Sequence, residues 1–190
     1  MKDNLRIAIL FTVVTTVLFG IIYPLAVTGL AQILFPFQAN GSLLLRDGHV
    51  MGSKLIGQTF SGPAYFHSRP SNAGTGYDAT QSSGSNLAPT NHLLLERVKT
   101  DAEKLHAENP PAPIPIDLVT ASGSGLDPEI SPAAAEFQVP RVAKERGMTD
   151  ADVRALVRKH TLRRQLGLLG ESRVRVLELN LELDTIHPLR

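Results

Sequence analysis

The side chains best suited to chemistry in this sequence are its histidines and the serines of its turns. The sequence contains no cysteine. The absence of cysteine excludes disulfides, thiolate metal sites and a cysteine nucleophile. His92 and His106 share one predicted helix, but helical rise separates them by about 21 Å, too far to bind one metal ion. The six histidines show neither i, i+4 pairing nor the spacing of metal ligands: His49, His67, His92, His106, His160 and His187. The sequence therefore predicts no metal site.

The serine- and glycine-containing segments match catalytic motifs only in part. Gly52-Ser53-Lys54 lacks the upstream glycine and the strand-to-helix setting of a phosphate-binding loop. The residues that flank Ser122 and Ser124 do not form the nucleophile elbow of a hydrolase. Residues 81–86 could offer backbone amides to an anion, with a turn-rich contact loop as the alternative. A Ser/His/Asp set assembled in space is a second open alternative.

Charge excludes one class of partner and leaves two others. The net charge is +1, which gives no basis for binding nucleic acid. Residues 141–175, however, hold ten Lys or Arg against four acidic residues. This basic segment could face an acidic partner or anionic lipid headgroups, and a solvated helix face is the simpler alternative.

The segment from residue 7 to residue 45 contains no charged residue and precedes the polar part of the chain. Its first part, residues 7–34, is long enough to cross the hydrocarbon core, which takes roughly 20 apolar residues. A cleaved signal peptide has a shorter apolar region, and a buried core helix would show a polar face. We therefore expect a transmembrane helix over 7–34, disturbed at Tyr23-Pro24 by a kink or a partner contact.

The charges that flank the helix predict its orientation. Lys2 and Arg6 precede it, and no positive charge follows it until Arg46. By the positive-inside rule, residues 1–6 stay in the cytoplasm and residues 35–190 form a domain outside it. We expect a single-pass protein of a bacterial inner membrane with a periplasmic or extracellular domain.

The domain is predicted to be a single mixed α+β fold. Residues 42–60 indicate one or two short strands, and Thr90 or Asn91 begins a helix whose apolar face ends near Leu105. A helix from Pro132 to Gly147 should be bent or broken by Pro140. Three further elements are a strand at 116–120, a helix capped by Thr149 that fades near Gly167, and a half-buried strand at 174–183.

Residues 61–90 are too long for a routine connection, and long ordered loops tend to be functional. A flexible linker is the alternative. The aromatic and basic residues spaced through this stretch argue against a pure spacer. They are residues of the kind that anchor interfaces: Tyr65, Phe66, Arg69 and Tyr77.

Four long segments, in a fixed order, give the chain a specific resemblance to a known family. They are YFHSRPS at 65–71, YDATQSSGSNLAPTN at 77–91, DLVTASGSGLDPEISPAAAEFQVPRVAKERG at 117–147 and LGESRVRVLELNLELD at 169–184. Together with the N-terminal span they are distributed along nearly the whole chain, from residue 7 to residue 184. The sequence resembles the C subunits of bacterial Kdp complexes, which are ATP-driven, high-affinity potassium importers.

The resemblance implies a non-catalytic accessory subunit. Our hypothesis is that it supports assembly and stability of the complex, with gating of potassium entry as a further role. Its partners would be a channel-like potassium-selecting subunit, a P-type ATPase subunit, a small membrane peptide and membrane lipid. The chain would bind no cofactor itself, because ATP and potassium are handled by the complex, and it lacks the P-type phosphorylation motif. The expected partner-binding residues are Tyr65, Phe66, Arg69, Tyr77, Asp78, Asn86 and Asn91.

The family is also described as a catalytic chaperone that raises the ATP affinity of the ATPase subunit. The candidate nucleotide contact is Ser82, Ser83, Gly84 and Ser85. ATP is cytoplasmic, so this role conflicts with an outer domain. The sequence also reads Ser-Ser-Gly-Ser where many relatives read Ser-Gly-Gly-Ser. A membrane-anchored envelope hydrolase and a simple structural anchor are the remaining alternatives.

Overall fold

The computed structural model describes residues 1–189, which fall into two compact units. The first unit is Met1–Met51, and the second begins at Gly52. The first unit is helical and ends within the second strand of a short hairpin, and the second unit is mixed helix and strand. The predicted α+β class, with one long N-terminal helix, is confirmed.

The first unit is dominated by the apolar helix. It consists of α1 (Lys2–Val17), a π-helical turn (Leu18–Ile22) and α2 (Tyr23–Leu34). No residue of this apolar helix is buried within the chain. Among residues 1–189, it is the one helix that is long and apolar enough to cross a membrane. After it come α3 (Pro36–Ala39) and the paired strands β1 (Leu43–Arg46) and β2 (His49–Ser53).

The disturbance predicted at Tyr23-Pro24 takes the form of the π-helical turn. Proline has no N–H, and its ring presses on the carbonyl group four residues earlier, here that of Gly20. A π turn widens the backbone spacing to i, i+5, and the N–H of Tyr23 accordingly donates to the carbonyl oxygen of Leu18. The helix therefore passes through the proline without ending.

The second unit builds its helices around a small antiparallel sheet. Its elements are α4 (His92–Glu108), a 3₁₀ turn (Ile116–Leu118), β3 (Glu129–Ile130), α5 (Pro132–Arg146), α6 (Asp150–Lys159), β4 (Thr161–Leu162), β5 (Arg173–Arg175) and α7 (Val176–Ile186). The strand order is β3-β5-β4. Val174, at the centre of β5, lies opposite Ile130 on one side and Thr161 on the other.

The predicted helix starts are confirmed by their capping hydrogen bonds. Asn91 Oδ1 accepts from the N–H of Leu93 at 2.8 Å, and the Ser131 hydroxyl accepts from Ala134 at 3.0 Å. Thr149 caps α6 in the same way. Each bond satisfies one of the N–H groups that a helix leaves unpaired at its start.

Two sequence expectations about these elements are wrong, and one of the two alternatives for Pro140 is excluded. Helix α5 runs unbroken through the exposed Pro140, so the expected break does not occur, and α6 ends at Lys159, well before Gly167. Residues 116–120 form no strand, because Ile116–Leu118 is a 3₁₀ turn. There the hydroxyl of Thr120 donates to the carbonyl oxygen of Ile116 at 2.8 Å, which closes the turn.

The strand expected at 174–183 is mostly helix α7. Alternating leucines suggested a period of two, but the fully buried positions are Val176, Leu179, Asn180 and Leu183. Their spacing of three and four is that of one helix face. Packing of this face in the core therefore determines that the segment is helical, although its leucines alternate as in a strand.

The core of the second unit lies between α5, α6, α7 and β5. Phe66, from the loop before α4, is completely buried in it. The other members with no exposed surface are small or branched side chains: Ala134, Ala135, Val139, Val142, Val153, Val174, Leu179 and Leu183.

Candidate functional site

Residues 54–91 contain no helix or strand, yet they are held in place along their length. We call this stretch the long loop. Its first anchor is Phe66, whose ring fills the core. Buried polar side chains of α5 and α7 fix the backbone of residues 64–67, and the turn before β3 holds residues 69–83.

Two side-chain amides bind the backbone on either side of Phe66. Asn180 accepts from the N–H of Phe66 and donates to its carbonyl oxygen, both at 2.9 Å. Gln138 accepts from the N–H of His67 at 2.7 Å and donates to its carbonyl oxygen at 3.1 Å. Each amide thus satisfies both backbone groups of one residue, as a neighbouring strand would.

Arg146 ties the start of this segment to α7. Its guanidinium donates to the carbonyl oxygen of Ala64 at 2.7 Å and to Asp184 at 2.8 Å. It also lies 4.8 Å from the centre of the Tyr65 ring, a cation–π distance. The Arg146 side chain has no exposed surface, so its charge is neutralised inside the protein by Asp184.

Arg69 joins the long loop to the turn before β3. It forms an ion pair with Asp127 at 3.1 Å and donates to the carbonyl oxygen of Thr120 at 3.2 Å. The hydroxyl of Tyr77 donates to the carbonyl oxygen of Arg69 at 2.6 Å. Burial raises the pKa of Tyr77 to about 12, so this hydroxyl stays protonated and keeps its role as donor.

Two glycines allow the long loop to approach the turn before β3 closely. A Cβ on Gly57 would lie 2.5 Å from the carbonyl oxygen of Asp127. A Cβ on Gly125 would lie 2.6 Å from that of Ser83, and Gly125 also has φ of 69°, which L-residues rarely adopt. Glycine is therefore required at both contacts.

The candidate nucleotide contact, Ser82–Ser85, packs on Ser122–Gly125. The N–H of Ser83 and the hydroxyl of Ser82 both donate to the carbonyl oxygen of Ser124, at 2.9 and 3.0 Å. The site is thus a pair of apposed turns in which one backbone amide already has a protein partner. Its role as a nucleotide contact stays a prediction.

The remaining predicted partner-binding residues lie at turns and caps. Asp78 accepts from the N–H and the hydroxyl of Thr80, at 2.9 and 2.7 Å, and these hydrogen bonds lower the pKa of Asp78. Asn91 caps α4, and Asn86 is exposed with φ of 51°. As partner-binding residues all of them remain predictions, and Phe66 has no surface to offer.

Sequence reasoning missed Gln138, Arg146 and Asn180, the three buried polar residues that hold the long loop. A signal was present for two of them. Gln138 lies four residues from both Ala134 and Val142, and Asn180 lies four residues after Val176, so each occupies an apolar helix face. A polar residue on such a face needs a buried partner.

The part of the chain that the structure describes has open cavities but no assembled metal site. The cavity beside His67, Asp101 and Glu108 has a volume of about 370 Å³. His67 Nε2 lies 2.9 Å from the carbonyl oxygen of Gly62, and burial lowers the pKa of His67. Across residues 1–189, no group of three or more His, Asp or Glu side chains could hold a metal ion.

Comparison with known proteins accounts for nearly the whole chain. The family model described as KdpC, the K⁺-transporting ATPase c chain, matches residues 5–185. A potassium-transporting ATPase KdpC subunit of Koribacter versatilis (strain Ellin345) is 58% identical over 189 residues, covering 100% of this chain and 98% of the relative. The KdpC subunit of Acidobacterium capsulatum is 58% identical, covering 97% and 100%, and that of Caulobacter vibrioides (strain NA1000 / CB15N) is 57% identical, covering 99% and 96%. The chain therefore belongs to the KdpC family of potassium-transporting ATPase subunits.

Proposed function

We propose that this chain is a non-catalytic accessory subunit of an ATP-driven potassium import complex. The observation that carries the proposal is that the buried polar side chains of the second unit form hydrogen bonds within the chain. Gln138, Arg146 and Asn180, which are buried in the fold, bind the backbone of the chain's own long loop. They support a rigid docking surface rather than a reaction.

In this proposal, α1 and α2 cross the inner membrane with Lys2 and Arg6 in the cytoplasm. The second unit then lies outside, on the potassium-selecting, channel-like subunit. The P-type ATPase subunit and the small membrane peptide complete the complex, and ATP and potassium are handled by these partners. The role of the chain is assembly and stability of the complex and gating of potassium entry.

The long loop supplies the docking surface. Tyr65, Arg69 and Tyr77 are partly exposed and are fixed by Arg146, Asp127 and one another. Because their geometry is set before any partner arrives, little conformational entropy is lost on binding. Asp78 and Asn86 add polar contacts at the rim.

The alternative of a catalytic chaperone is favoured by one observation, the apposed serine and glycine turns at Ser82–Ser85 and Ser122–Gly125. A nucleotide could contact these turns only if the second unit were cytoplasmic. The two roles therefore differ in topology, which can be measured directly.

Topology can be tested by introducing Ser85→Cys into a chain that has no native cysteine. Cells with a permeabilised outer membrane are treated with a membrane-impermeant maleimide, and Asn4→Cys serves as the matched control. We expect the Ser85→Cys chain to be labelled before lysis and the Asn4→Cys chain only after lysis. The reverse pattern would place the second unit in the cytoplasm, contradict the docking proposal and favour the chaperone role. Hydrolysis of ester or peptide substrates by the purified chain would instead favour an envelope hydrolase.

A further inference from the structure

The turn between β4 and β5 displays leucines to solvent. All residues from 163 to 171 are exposed, and three of them are leucines within four positions. Leu166 is 91% exposed, Leu168 81% and Leu169 59%. Single exposed leucines are common on proteins, but a cluster on one projecting turn marks an interaction site. We call residues 163–171 the leucine turn.

The leucine turn is ordered by its own backbone. Gln165 and Leu169 exchange N–H···O hydrogen bonds, both at 2.9 Å. Leu166 has φ of 53°, in the left-handed region that favours glycine or asparagine over a bulky side chain. The fold therefore fixes a leucine at the apex at a conformational cost, where a smaller polar residue would serve a mere connection better.

Basic residues surround these leucines. Residues 158–173 contain five Lys or Arg and one acidic residue. Glu171 pairs with Arg164 at 2.6 Å and Lys159 pairs with Glu182 at 2.6 Å. Arg163, within the leucine turn, and Arg158, in the last turn of α6, are exposed. The leucine turn thus combines exposed apolar side chains with positive charge.

We propose that the leucine turn inserts into the headgroup region of an anionic lipid bilayer. Leucines with flanking arginines are the combination that binds membrane interfaces, because the apolar side chains enter the acyl boundary while the cations meet lipid phosphates. Each cation near an anionic surface adds to the attraction. An apolar cleft on another protein could accept the leucines, but it would not account for the exposed arginines.

Attachment to the membrane makes weak insertion sufficient. The apolar helix Lys2–Leu34 belongs to the same chain, so the bilayer is present at high effective concentration. The inference rests on the proposed anchoring by this helix, but it depends neither on which side the second unit lies nor on its role in the complex.

The test uses the full chain reconstituted in vesicles of equal parts phosphatidylcholine and phosphatidylglycerol. Leu168→Cys is labelled with an environment-sensitive fluorophore, and Ala151→Cys, exposed on α6, is the matched control. We expect a blue-shifted emission from the label at position 168 and loss of its fluorescence when the lipids are brominated near the headgroup. The label at position 151 should show neither effect. In vesicles of phosphatidylcholine alone, or with Arg163→Ser, quenching of the label at position 168 should decrease.

Flotation of the vesicles separates failure of insertion from failure of anchoring. A chain that floats with the vesicles but carries a water-exposed, unquenched label at position 168 overturns the inference and leaves the anchor intact. The same measurement is made in the assembled complex. There, a label at position 168 that is blue-shifted but is not quenched by brominated lipid also overturns the inference, in favour of a protein partner.

Discussion

Buried polar side chains replace a strand partner for part of the long loop. Asn180 and Gln138 each satisfy the backbone N–H and carbonyl of one loop residue, a task that a neighbouring strand performs in a sheet. Because two hydrogen bonds join each loop residue to one rigid amide, they fix the orientation of its backbone as well as its position. Substitution at one such residue therefore tests how much of the loop depends on it.

Replacing Asn180 by alanine should lower the free energy of unfolding by about 3 kcal/mol, because the N–H and carbonyl of the buried Phe66 lose their partners. Chemical denaturation of the purified chain measures the change. Thr185→Ala, on the exposed face of α7, is the matched control and should change stability by less than about 0.5 kcal/mol. Equal effects of the two substitutions would contradict the role given to Asn180.

The His67 ring should make stability depend on pH. Burial, with a smaller contribution from Arg141, lowers the pKa of His67 below its ordinary value of 6.5 in the folded state, while the hydrogen bond with Gly62 and, less strongly, Glu108 oppose the shift. Below pH 6.5 the unfolded chain therefore binds more protons than the folded chain at this site, so stability falls as pH falls.

The prediction is a loss of stability between about pH 7 and pH 5 that His67→Gln reduces, measured by unfolding at several pH values. The exposed Thr185→Ala, which removes no titratable group, is the control and should leave the pH profile unchanged. A profile that His67→Gln does not alter would exclude His67 as its source.

At the scale of elements, the sequence predicts best where local chemistry decides. The caps at Asn91, Ser131 and Thr149 are confirmed because a side chain and a backbone N–H a few residues apart suffice to form each one. Helix α7 was predicted as a strand because its alternating leucines are read locally, whereas its buried face is set by packing against distant elements. The long loop contacts residues that are far away in the sequence, by 71 positions for His67 and Gln138 and by 114 positions for Phe66 and Asn180. No local pattern encodes such contacts.

Because two turns approach each other closely at Gly125, this position should tolerate a side chain less well than its neighbour Gly123. Gly125→Ala should destabilise the second unit by about 2 kcal/mol or more, because the new Cβ meets Ser83 and Ala73 at a positive φ. The long loop should then be cut faster by a protease at limiting concentration. Gly123→Ala, whose Cβ would meet nothing within 4 Å, is the matched control. Equal cleavage rates in the two variants would refute the contact.

At the scale of the whole molecule, the proposed docking surface depends on contacts within the chain. Replacing both Arg69 and Tyr77 by alanine removes the ion pair with Asp127 and the hydrogen bond that orders the long loop. We expect less of the other subunits to co-purify and potassium uptake to fall, at a temperature where the variant is still folded.

Lys99→Ala, at an exposed position of α4, should leave the complex intact. Unchanged co-purification and transport in the folded double variant would contradict docking through the long loop. Full assembly with lost transport would argue against a simple structural anchor and for a role in gating.

The π-helical turn ahead of Pro24 changes which neighbours the apolar helix can meet. An α-helix advances about 100° per residue, so one extra residue in a turn rotates everything beyond it by that angle. The stripe that continues a face of α1 therefore points in another direction along α2. A single helix with such a phase shift can present one face to one neighbour at one depth of the bilayer and a different face to a second neighbour at another depth.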